Sequence, residues 1–405
     1  MRIWMLCVAL LILSGCAARP LSFACPRLDE FRYLVDDRMP GGRVAPSSEA
    51  PLMSAMAGAL ERPVAARAPD SAPRTILVLS GGGPWGAFGA GFLTGWSGSV
   101  AHPRPIFDLV TGVSTGALQA TDAFLGADAD GLLTEAYTIT RESDLIDRRG
   151  LVAGGLTGSF AGTRPLETRI RTALVPLYGR VAAEAAKGRL LLVGAVDALD
   201  GQMYAIDLTR IARDLTGTER ADCYVGALMA SAAVPVEFDR VELGGRPWFD
   251  GGVRRSVFVT DIQAAAAHAM VMMRTPSQLY ILVNGDPVAA PIQQLARGLV
   301  PTLARLRTLA VNEIELSSIS AVARAAPPGF VTYIASAEGN TCGPDDAGHD
   351  AVFDPAFMRC LIGFGRARWQ ADDPWARYAG AAVADQPDPA KTAPRAGVPI
   401  APLLK

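Results

Sequence analysis

The chain has 405 residues, of which 50% are hydrophobic and 19% are charged, and its formal net charge is −2. This composition supports one sizeable globular domain, and it gives no case for nucleic-acid binding because lysine and arginine form no long basic stripe. No internal repeat is visible in the sequence.

The first fifteen residues have the pattern of an export signal. Met1-Arg2 is a short basic start, and Ile3 to Leu13 is an apolar run that is too short to span a bilayer. Leu13-Ser14-Gly15-Cys16 resembles a bacterial lipobox, which implies cleavage before Cys16 and acylation of that cysteine. Because Ala17 follows rather than Asp, we expect a lipid anchor in the outer membrane of the cell envelope. The alternative is an ordinary secretory signal with an incidental cysteine.

Composition divides the chain into four segments. Residues 1–15 are the signal, and residues 16–73 are predicted to be a lipidated tether, since repeated prolines leave room for one short helix around Leu52 to Leu60. Residues 74–375 are predicted to be the main folded domain. Residues 376–405 are a Pro/Ala-rich tail that we expect to be irregular.

Cysteine usage fits an exported protein. After loss of Cys7 with the signal and acylation of Cys16, an even number remains for an oxidising compartment, namely Cys25, Cys223, Cys342 and Cys360. Cys342 and Cys360 bracket a polar loop and are the preferred bridge, which leaves Cys25 with Cys223. Buried free thiols are the alternative. No C-x-x-C or His-rich cluster indicates a metal site.

A glycine-rich loop follows the first predicted strand, Thr75 to Ser80. The loop contains four glycines, Gly81, Gly82, Gly83 and Gly86. Bare backbone N–H groups in such a loop can hold an anionic oxygen. A P-loop is excluded, because the spacing differs and no lysine is present. The loop does satisfy G-x-G-x-x-G with Asp108 about 20 residues further on, so a dinucleotide-binding loop is the competing interpretation.

The second predicted strand, Phe107 to Thr111, leads into a pattern typical of a nucleophile elbow. Gly112 and Gly116 lie on either side of Ser114, and glycines there allow the strained strand-to-helix turn that exposes a serine oxygen. The helix that starts near Thr115 would stabilise negative charge on the serine and acyl oxygens. Together, the two glycine motifs favour an acyl-transfer enzyme, because the dinucleotide-binding interpretation gives Ser114 no role.

A serine nucleophile needs a base to take its proton. The histidines are His102, His268 and His349, and His349 fits the order Ser, acid, His best, although none stands in a recognisable motif. Asp250 is the better candidate, because the aromatic pair before it suggests partial burial, which raises a carboxylate's pKa. Gly251 and Gly252 allow another group to approach closely. A simple Asp-Gly-Gly turn is the alternative.

The rest of the chain alternates between predicted strands and helices. Strands are predicted at Arg189 to Val196, Gln202 to Asp207 and Gln278 to Val283, and one or two long helices at Ile292 to Ala325. This order predicts a three-layer α/β/α sandwich with a mostly parallel central sheet. The apolar stretch from Gly150 to Phe160 is either a mobile lid or a packed loop.

Three motifs carry a family resemblance. Gly81-Gly82-Gly83-x-x-Gly86, Gly112-x-Ser114-x-Gly116 and Asp250-Gly251-Gly252, in that order, resemble the signatures of patatin-like phospholipases and acyl hydrolases. The similarity spans roughly residues 74 to 370, including Ala230 to Pro235 and Asp354 to Arg359. It implies a patatin-like fold and a Ser114–Asp250 dyad without histidine. It also implies an oxyanion hole formed by the Gly81 to Gly83 amides together with Gly86.

One position departs from the family. Trp85 stands where the family usually has Lys or Arg, which moves the expected substrate from phospholipid toward neutral esters. We therefore expect a lipid-anchored hydrolase that acts on a lipid or acyl ester through an acyl-enzyme and uses no metal or cofactor. The alternatives are a serine esterase with a Ser-Asp-His triad and a non-catalytic envelope protein that binds lipid.

Overall fold

The computed structural model of the chain describes residues 20–35, 50–61, 73–258, 277–287, 294, 297–325, 331–343 and 351–379. The predicted signal, Cys16, His268, His349 and residues 380–405 of the predicted tail lie outside these residues. Within the described part of the chain, no helix combines the length and apolarity needed to cross a bilayer.

Each strand predicted from the sequence is present at the expected place in the structure. β3, β4, β7, β8 and β11 correspond to the five strands expected from the sequence. The strands are β1 Leu21–Phe23, β2 Arg32–Leu34, β3 Arg74–Leu79, β4 Leu109–Val113, β5 Asp147–Arg148, β6 Ala161–Gly162, β7 Leu190–Asp197, β8 Met203–Asp207, β9 Val241–Leu243, β10 Arg246–Asp250, β11 Ser277–Val283, β12 Val331–Ser336 and β13 Ala376–Ala379.

The central sheet is mixed but mostly parallel. Strands β7, β4, β3, β11 and β12 lie side by side in that order, and each pair is parallel. Antiparallel neighbours complete the sheet: β13 on β12, β8 on β7, and β2 on β8. Strand β10 is antiparallel to β7 and β9, and β9 pairs in parallel with β1. The short strands β5 and β6 form a separate antiparallel pair.

Helices connect most of these strands. They are α1 Leu28–Phe31, α2 Ala50–Glu61, α3 Gly86–Ser97, α4 Thr115–Leu125, α5 Asp130–Tyr137, α6 Leu151–Thr157, α7 Arg164–Leu174, α8 Tyr178–Ala186, α9 Leu208–Asp214, α10 Gly217–Ser231, α11 Leu299–Ala325 and α12 Pro355–Trp369. Helix α2 includes the stretch from Leu52 to Leu60 where the sequence predicted a helix, and α11 lies within the predicted stretch from Ile292 to Ala325.

Helices cover both faces of the sheet. Side chains of a strand point alternately to the two faces, so each buried strand contributes to two cores. On β3, Leu77 and Leu79 lie in the core that includes α3 and α4, whereas Ile76 and Val78 lie in the core that includes Leu52 of α2. This arrangement confirms the predicted three-layer α/β/α sandwich.

Helices α3 and α12 cross closely because glycines remove side chains at the crossing. A Cβ at Gly91 would overlap the Ile362 carbonyl, and one at Gly365 would overlap the Phe88 carbonyl. Asp354 caps α12 by accepting the Phe357 N–H at 2.7 Å. The crossing fixes α3, which directly follows the glycine-rich loop.

The N-terminal segment corrects the predicted domain boundary. Residues 21–34 were expected to belong to a tether, but β1 and β2 are paired strands of the central sheet. Cys25 is disulfide-bonded to Cys223 of α10, which ties the same segment to the body of the domain. At the other end, β13 extends the sheet to Ala379, beyond the predicted boundary at residue 375. A second disulfide joins Cys342 to Cys360 of α12.

Candidate active site

Ser114 lies on a strained turn between β4 and α4. Its φ is 55° and its ψ is −125°, a conformation that residues with side chains rarely adopt. The turn is possible because Gly112 and Gly116 have no side chains: a Cβ at Gly112 would overlap the Gly116 carbonyl, and one at Gly116 would overlap that of Leu79. The backbone therefore holds the serine at the carboxyl end of β4, at the N-terminus of α4.

Asp250 reaches the same place from the opposite direction. Strand β4 runs parallel to β7 and ends with Val113 beside Gly194, whereas β10 runs antiparallel to β7 and ends with Asp250 beside Ala195. Because β8 occupies the other edge of β7 at these positions, β4 and β10 share one edge and meet end to end. The two strand ends thus bring Ser114 and Asp250 together.

Gly251 and Gly252 fit the Asp250 carboxylate into this junction. A Cβ at Gly251 would lie 2.5 Å from the Gly194 carbonyl oxygen, so only glycine fits there. The Gly252 N–H donates to Oδ1 of Asp250 at 2.7 Å. Asp250 therefore also caps the short turn over Gly251–Val253, as the alternative turn interpretation expects.

The electrostatics of Asp250 suit a base. Burial raises the pKa of its carboxyl to about 6, although hydrogen bonds from the Ser114 side chain and the Gly252 amide lower it. Oδ2 is buried, and none of the described residues lies in good hydrogen-bond geometry to it. A carboxylate oxygen beside a serine hydroxyl, with a pKa close to neutral, can accept that hydroxyl's proton.

The glycine-rich loop offers free backbone donors next to Ser114. A Cβ at Gly81 would lie 3.3 Å from the Ser114 Cβ, which shows how closely the loop approaches the serine. The φ values of Gly82 and Gly83 are 148° and 56°, both in the region that favours glycine. Among the described residues, none accepts a hydrogen bond from the amides of Gly81, Gly82 or Gly83.

Gly86 does not belong with these donors. Its amide donates to the carbonyls of Gly83 and Pro84, and the Trp85 amide donates to Gly82, so both close the short turn after the loop. Proline has no N–H to offer. Gly86 is instead required for packing, because a Cβ there would overlap the Thr115 hydroxyl. The predicted oxyanion hole is therefore reduced to the amides of Gly81 to Gly83.

A buried polar network beneath the loop was not predicted from the sequence. Ser80 Oγ lies 2.8 Å from the Gly81 carbonyl, accepts the Asn284 N–H at 2.8 Å and lies 3.0 Å from Oε1 of Glu315. The Asn284 side chain donates to the Ser80 carbonyl at 2.8 Å and to Gln119 at 3.1 Å. These contacts hold the start of the loop from below.

Glu315 is the unusual member of this network. It lies on α11, and burial raises the pKa of its carboxyl to about 7, with Asp286 adding to the rise and the hydrogen bond with Ser80 opposing it. The signal that could have found the network is positional. Asn284 directly follows the β11 strand, and carboxyl ends of neighbouring parallel strands meet at one edge of a sheet.

Ser231 is another residue to which the sequence analysis assigned no role. Its fully buried hydroxyl accepts the Ser114 N–H at 3.0 Å and donates to the Gly194 carbonyl at 2.6 Å. It thereby ties the backbone of Ser114 to β7. Ser231 lies in the Ala230 to Pro235 stretch that carried part of the family resemblance, which was the available signal.

The histidine alternative finds no support in the described residues. His102 is exposed in the loop before β4, whereas Ser114 follows the other end of that strand. A strand of five residues separates the two positions by roughly 17 Å. The two other histidines lie outside the described residues.

Trp85 packs beside the loop through an aromatic contact. Its ring meets that of Phe357 on α12 edge to face, with centroids 5.1 Å apart, and it is half-buried. A cavity of about 370 Å³ lies elsewhere, between α2 and the β8–α9 connection, and includes none of the residues of the site. In the part of the chain that is described, no group of three or more His, Cys, Asp or Glu is arranged to hold a metal ion.

Part of the chain matches a known protein family. Residues 77–262 match the family model for patatin-like phospholipase, a range that includes the glycine-rich loop, Ser114 and Asp250. These residues are therefore similar to a patatin-like phospholipase domain, which indicates a hydrolase that acts on lipid esters.

Other comparisons are distant. A search of curated proteins found no match. Among solved structures, the chain is similar to VipD from Legionella pneumophila with 13% sequence identity and a TM-score of 0.33, over 74% of this chain and 67% of that one. A likeness of this size supports no conclusion about the site.

Proposed function

We propose that the protein is a serine acyl-ester hydrolase that cleaves lipid esters with a Ser114–Asp250 dyad through an acyl-enzyme. The observation that carries the proposal is the end-to-end meeting of β4 and β10, which sets a buried carboxylate with a raised pKa beside a serine on a strained turn. Strain at a residue of this kind is typical of catalytic positions.

The reaction follows from these contacts. Asp250 takes the Ser114 proton as Oγ attacks the ester carbonyl carbon, and the free amides of Gly81 to Gly83 hold the resulting oxyanion. Collapse breaks the bond to the alcohol, which leaves with the proton from Asp250. Asp250 then deprotonates a water that attacks the acyl carbon. The bond between that carbon and Ser114 Oγ breaks, Oγ takes the proton back from Asp250, and the acid product departs. This chemistry uses no metal or cofactor.

Labelling and mutation test the proposal together. A fluorophosphonate that reacts with activated serines should label the wild-type protein and should not label the Ser114→Ala variant. Asp250→Asn should abolish ester hydrolysis, whereas His102→Ala should keep most of it and serves as the control. A folded Ser114→Ala protein that keeps more than a trace of activity would contradict the dyad, and an unlabelled wild type would favour a non-catalytic lipid binder.

We also propose that Cys16 carries a lipid that anchors the protein in the cell envelope, with the outer membrane favoured. The support is the sequence pattern alone, a short basic start and an apolar run before Leu13-Ser14-Gly15-Cys16. Several acyl chains would give firm attachment, at about 0.8 kcal/mol per buried CH₂. The Cys16→Ser variant should move from the membrane fraction to the soluble fraction, or it should accumulate as the unprocessed precursor. A membrane-bound mature protein without N-terminal lipid mass would refute the anchor.

A further inference from the structure

Helix α6 is an apolar helix that the rest of the domain does not cover. The sequence Leu151–Thr157 contains no charged residue, and its described side chains are mostly exposed, with Val152 at 80% and Leu156 at 54%. Gly154 is the buried position, and it packs against the ring of Phe160. Helices that expose apolar residues in this way usually face a partner.

The base of α6 is firmly held. The flanking strands β5 and β6 pair with each other, and the Arg149 guanidinium contacts both carboxylate oxygens of Asp239, at 2.5 and 2.8 Å. The Ser159 hydroxyl donates to the same carboxylate at 2.7 Å. The helix is therefore an apolar projection on a base that is held by these contacts.

One segment connects this projection to the active site. The Ala233 carbonyl accepts the Asp250 N–H at 2.9 Å, and three residues later the Val236 carbonyl accepts the Phe160 N–H at 3.0 Å. Val236 itself is 63% exposed and has a φ of 71°, which is rare for a β-branched residue. The exposed apolar side chains and the catalytic base thus lie on the same side of the domain.

The same segment leads into the strand that pairs with β1, the first described strand. The Arg240 carbonyl accepts the Leu21 N–H at 3.1 Å, and Leu21 pairs with Val241, which in turn pairs with Trp248. Two strand spacings and two residues along β10 therefore separate Leu21 from Asp250, a distance of about 12 Å. The first described strand therefore begins beside the active site.

The length of the chain between Cys16 and Leu21 decides what α6 can meet. Cys16 precedes Leu21 by five residues, which span at most about 17 Å when fully extended. A lipid on Cys16 would thus hold the active-site side of the domain within about 30 Å of a bilayer. A bilayer is then the partner nearest to the exposed helix, and its interior matches the apolar, uncharged surface of that helix.

We propose that Val152, Leu156 and Val236 form a docking face that inserts into the surface of a lipid bilayer beside the active site. The proposal rests on the proposed function for the reason why docking is useful, since the ester substrate would lie in that bilayer. The face supplies apolar contact at the interface, and its fixed base keeps Asp250 and Ser114 at a constant distance from the lipid. Transfer of aliphatic side chains from water into the bilayer lowers the free energy, so insertion is favourable.

Insertion can be measured without relying on catalysis. The purified full chain carrying Leu156→Trp is mixed with phosphatidylcholine vesicles whose acyl chains are brominated, and the added tryptophan emission is compared with that of the parent. The matched control is Val100→Trp, because Val100 is 97% exposed in the loop before β4, at the opposite end of the sheet. We expect bromine to quench the emission at position 156 and to leave that at position 100 unchanged. Equal quenching at both positions, or none at either, would overturn the proposal.

A kinetic comparison gives the second measurement. The variant with Val152→Asp and Leu156→Asp should hydrolyse a lipid ester in phosphatidylcholine vesicles about tenfold more slowly or worse, because charged side chains resist insertion, and should keep its rate on a water-soluble short-chain ester. Val100→Asp should change neither rate. Equal loss on both substrates would overturn the docking role. A wild-type protein without esterase activity would refute the proposed function. The quenching experiment would still test the docking face, because it does not depend on catalysis.

Discussion

Replacing Ser231 by alanine should lower the rate of catalysis, because Ser231 holds the backbone of Ser114 in place. In the wild type, the Ser231 hydroxyl accepts the Ser114 N–H and donates to the Gly194 carbonyl. Alanine leaves both backbone groups buried and unpaired. Because Ser114 is held at a φ of 55° by its surroundings, loss of this hydrogen bond lets the turn relax toward a commoner conformation.

The size of the effect can be worked out from these two groups. An unpaired buried polar group costs about 1–3 kcal/mol, so Ser231→Ala should lower the free energy of unfolding by about 2–6 kcal/mol. The relaxed turn should move the Ser114 hydroxyl away from Asp250 and reduce kcat by about tenfold to a hundredfold, which corresponds to about 1.4–2.7 kcal/mol. The assays are urea unfolding and steady-state hydrolysis of a fluorogenic ester.

Tyr224→Phe is the matched control. Tyr224 lies on the same helix as Ser231, and its buried hydroxyl lies 2.9 Å from that of Thr121 on α4, the helix that follows Ser114. Its removal therefore weakens the same helix pair without touching the nucleophile. We expect a loss of stability and an unchanged kcat. If Ser231→Ala lowers kcat no more than Tyr224→Phe does, Ser231 has only a structural role.

Three further predictions concern charge at the site. Burial raises the pKa of Asp250 to about 6, so kcat/KM should fall as the pH drops below about 6 and the base becomes protonated; a flat profile from pH 5 to pH 8, for instance, would contradict a base of this pKa. Glu315→Gln should raise the free energy of unfolding at pH 8 by about 3 kcal/mol, because a carboxyl whose pKa rises from 4.5 to about 7 on folding destabilises the protein as the pH rises through that interval; an equal difference between variant and wild type at pH 4 and pH 8 would refute this. Trp85→Arg should raise kcat/KM for an anionic phospholipid relative to a neutral ester, since the family usually has a cation there; an unchanged ratio in an active variant would indicate that Trp85 serves only to pack against Phe357.

The sequence predicted the layered fold because its buried strands are long and strongly apolar. Leu190–Asp197 is buried throughout, and Ser277–Val283 is buried at every position except Gln278. Such runs identify the central strands of a parallel sheet. Ser114 and Asp250 could be proposed from local glycine patterns, since the turns around them require glycine at fixed neighbours. Gly86 was assigned to the wrong task because the spacing of glycines does not reveal which amides a turn uses.

Short strands were the features that sequence patterns could not predict. Leu21–Phe23 and Arg32–Leu34 have three residues each, too few to show a period of two, and the prolines after them suggested a tether. The meeting of β4 and β10 was equally hidden, because it depends on the register of both strands against β7. Long-range partners such as Ser231 and Glu315 follow from that register and from the position of α11, neither of which local patterns encode.

Two buried carboxyl groups close to Ser114 and the glycine-rich loop show where this fold gives up stability for its site. Asp250 and Glu315 both have their pKa raised by burial, so each destabilises the folded protein at neutral pH. Neutral isosteres should therefore stabilise the protein at both positions, by about 3 kcal/mol for Asp250→Asn at pH 8. Only the change at Asp250 should abolish hydrolysis, because that carboxylate must accept a proton, whereas Glu315 acts through Ser80 on the position of the loop. If its surroundings stabilised the charged carboxylate, Asp250 would keep a low pKa and would accept the serine proton poorly. The cost of burying this carboxylate is therefore a requirement of its proposed role.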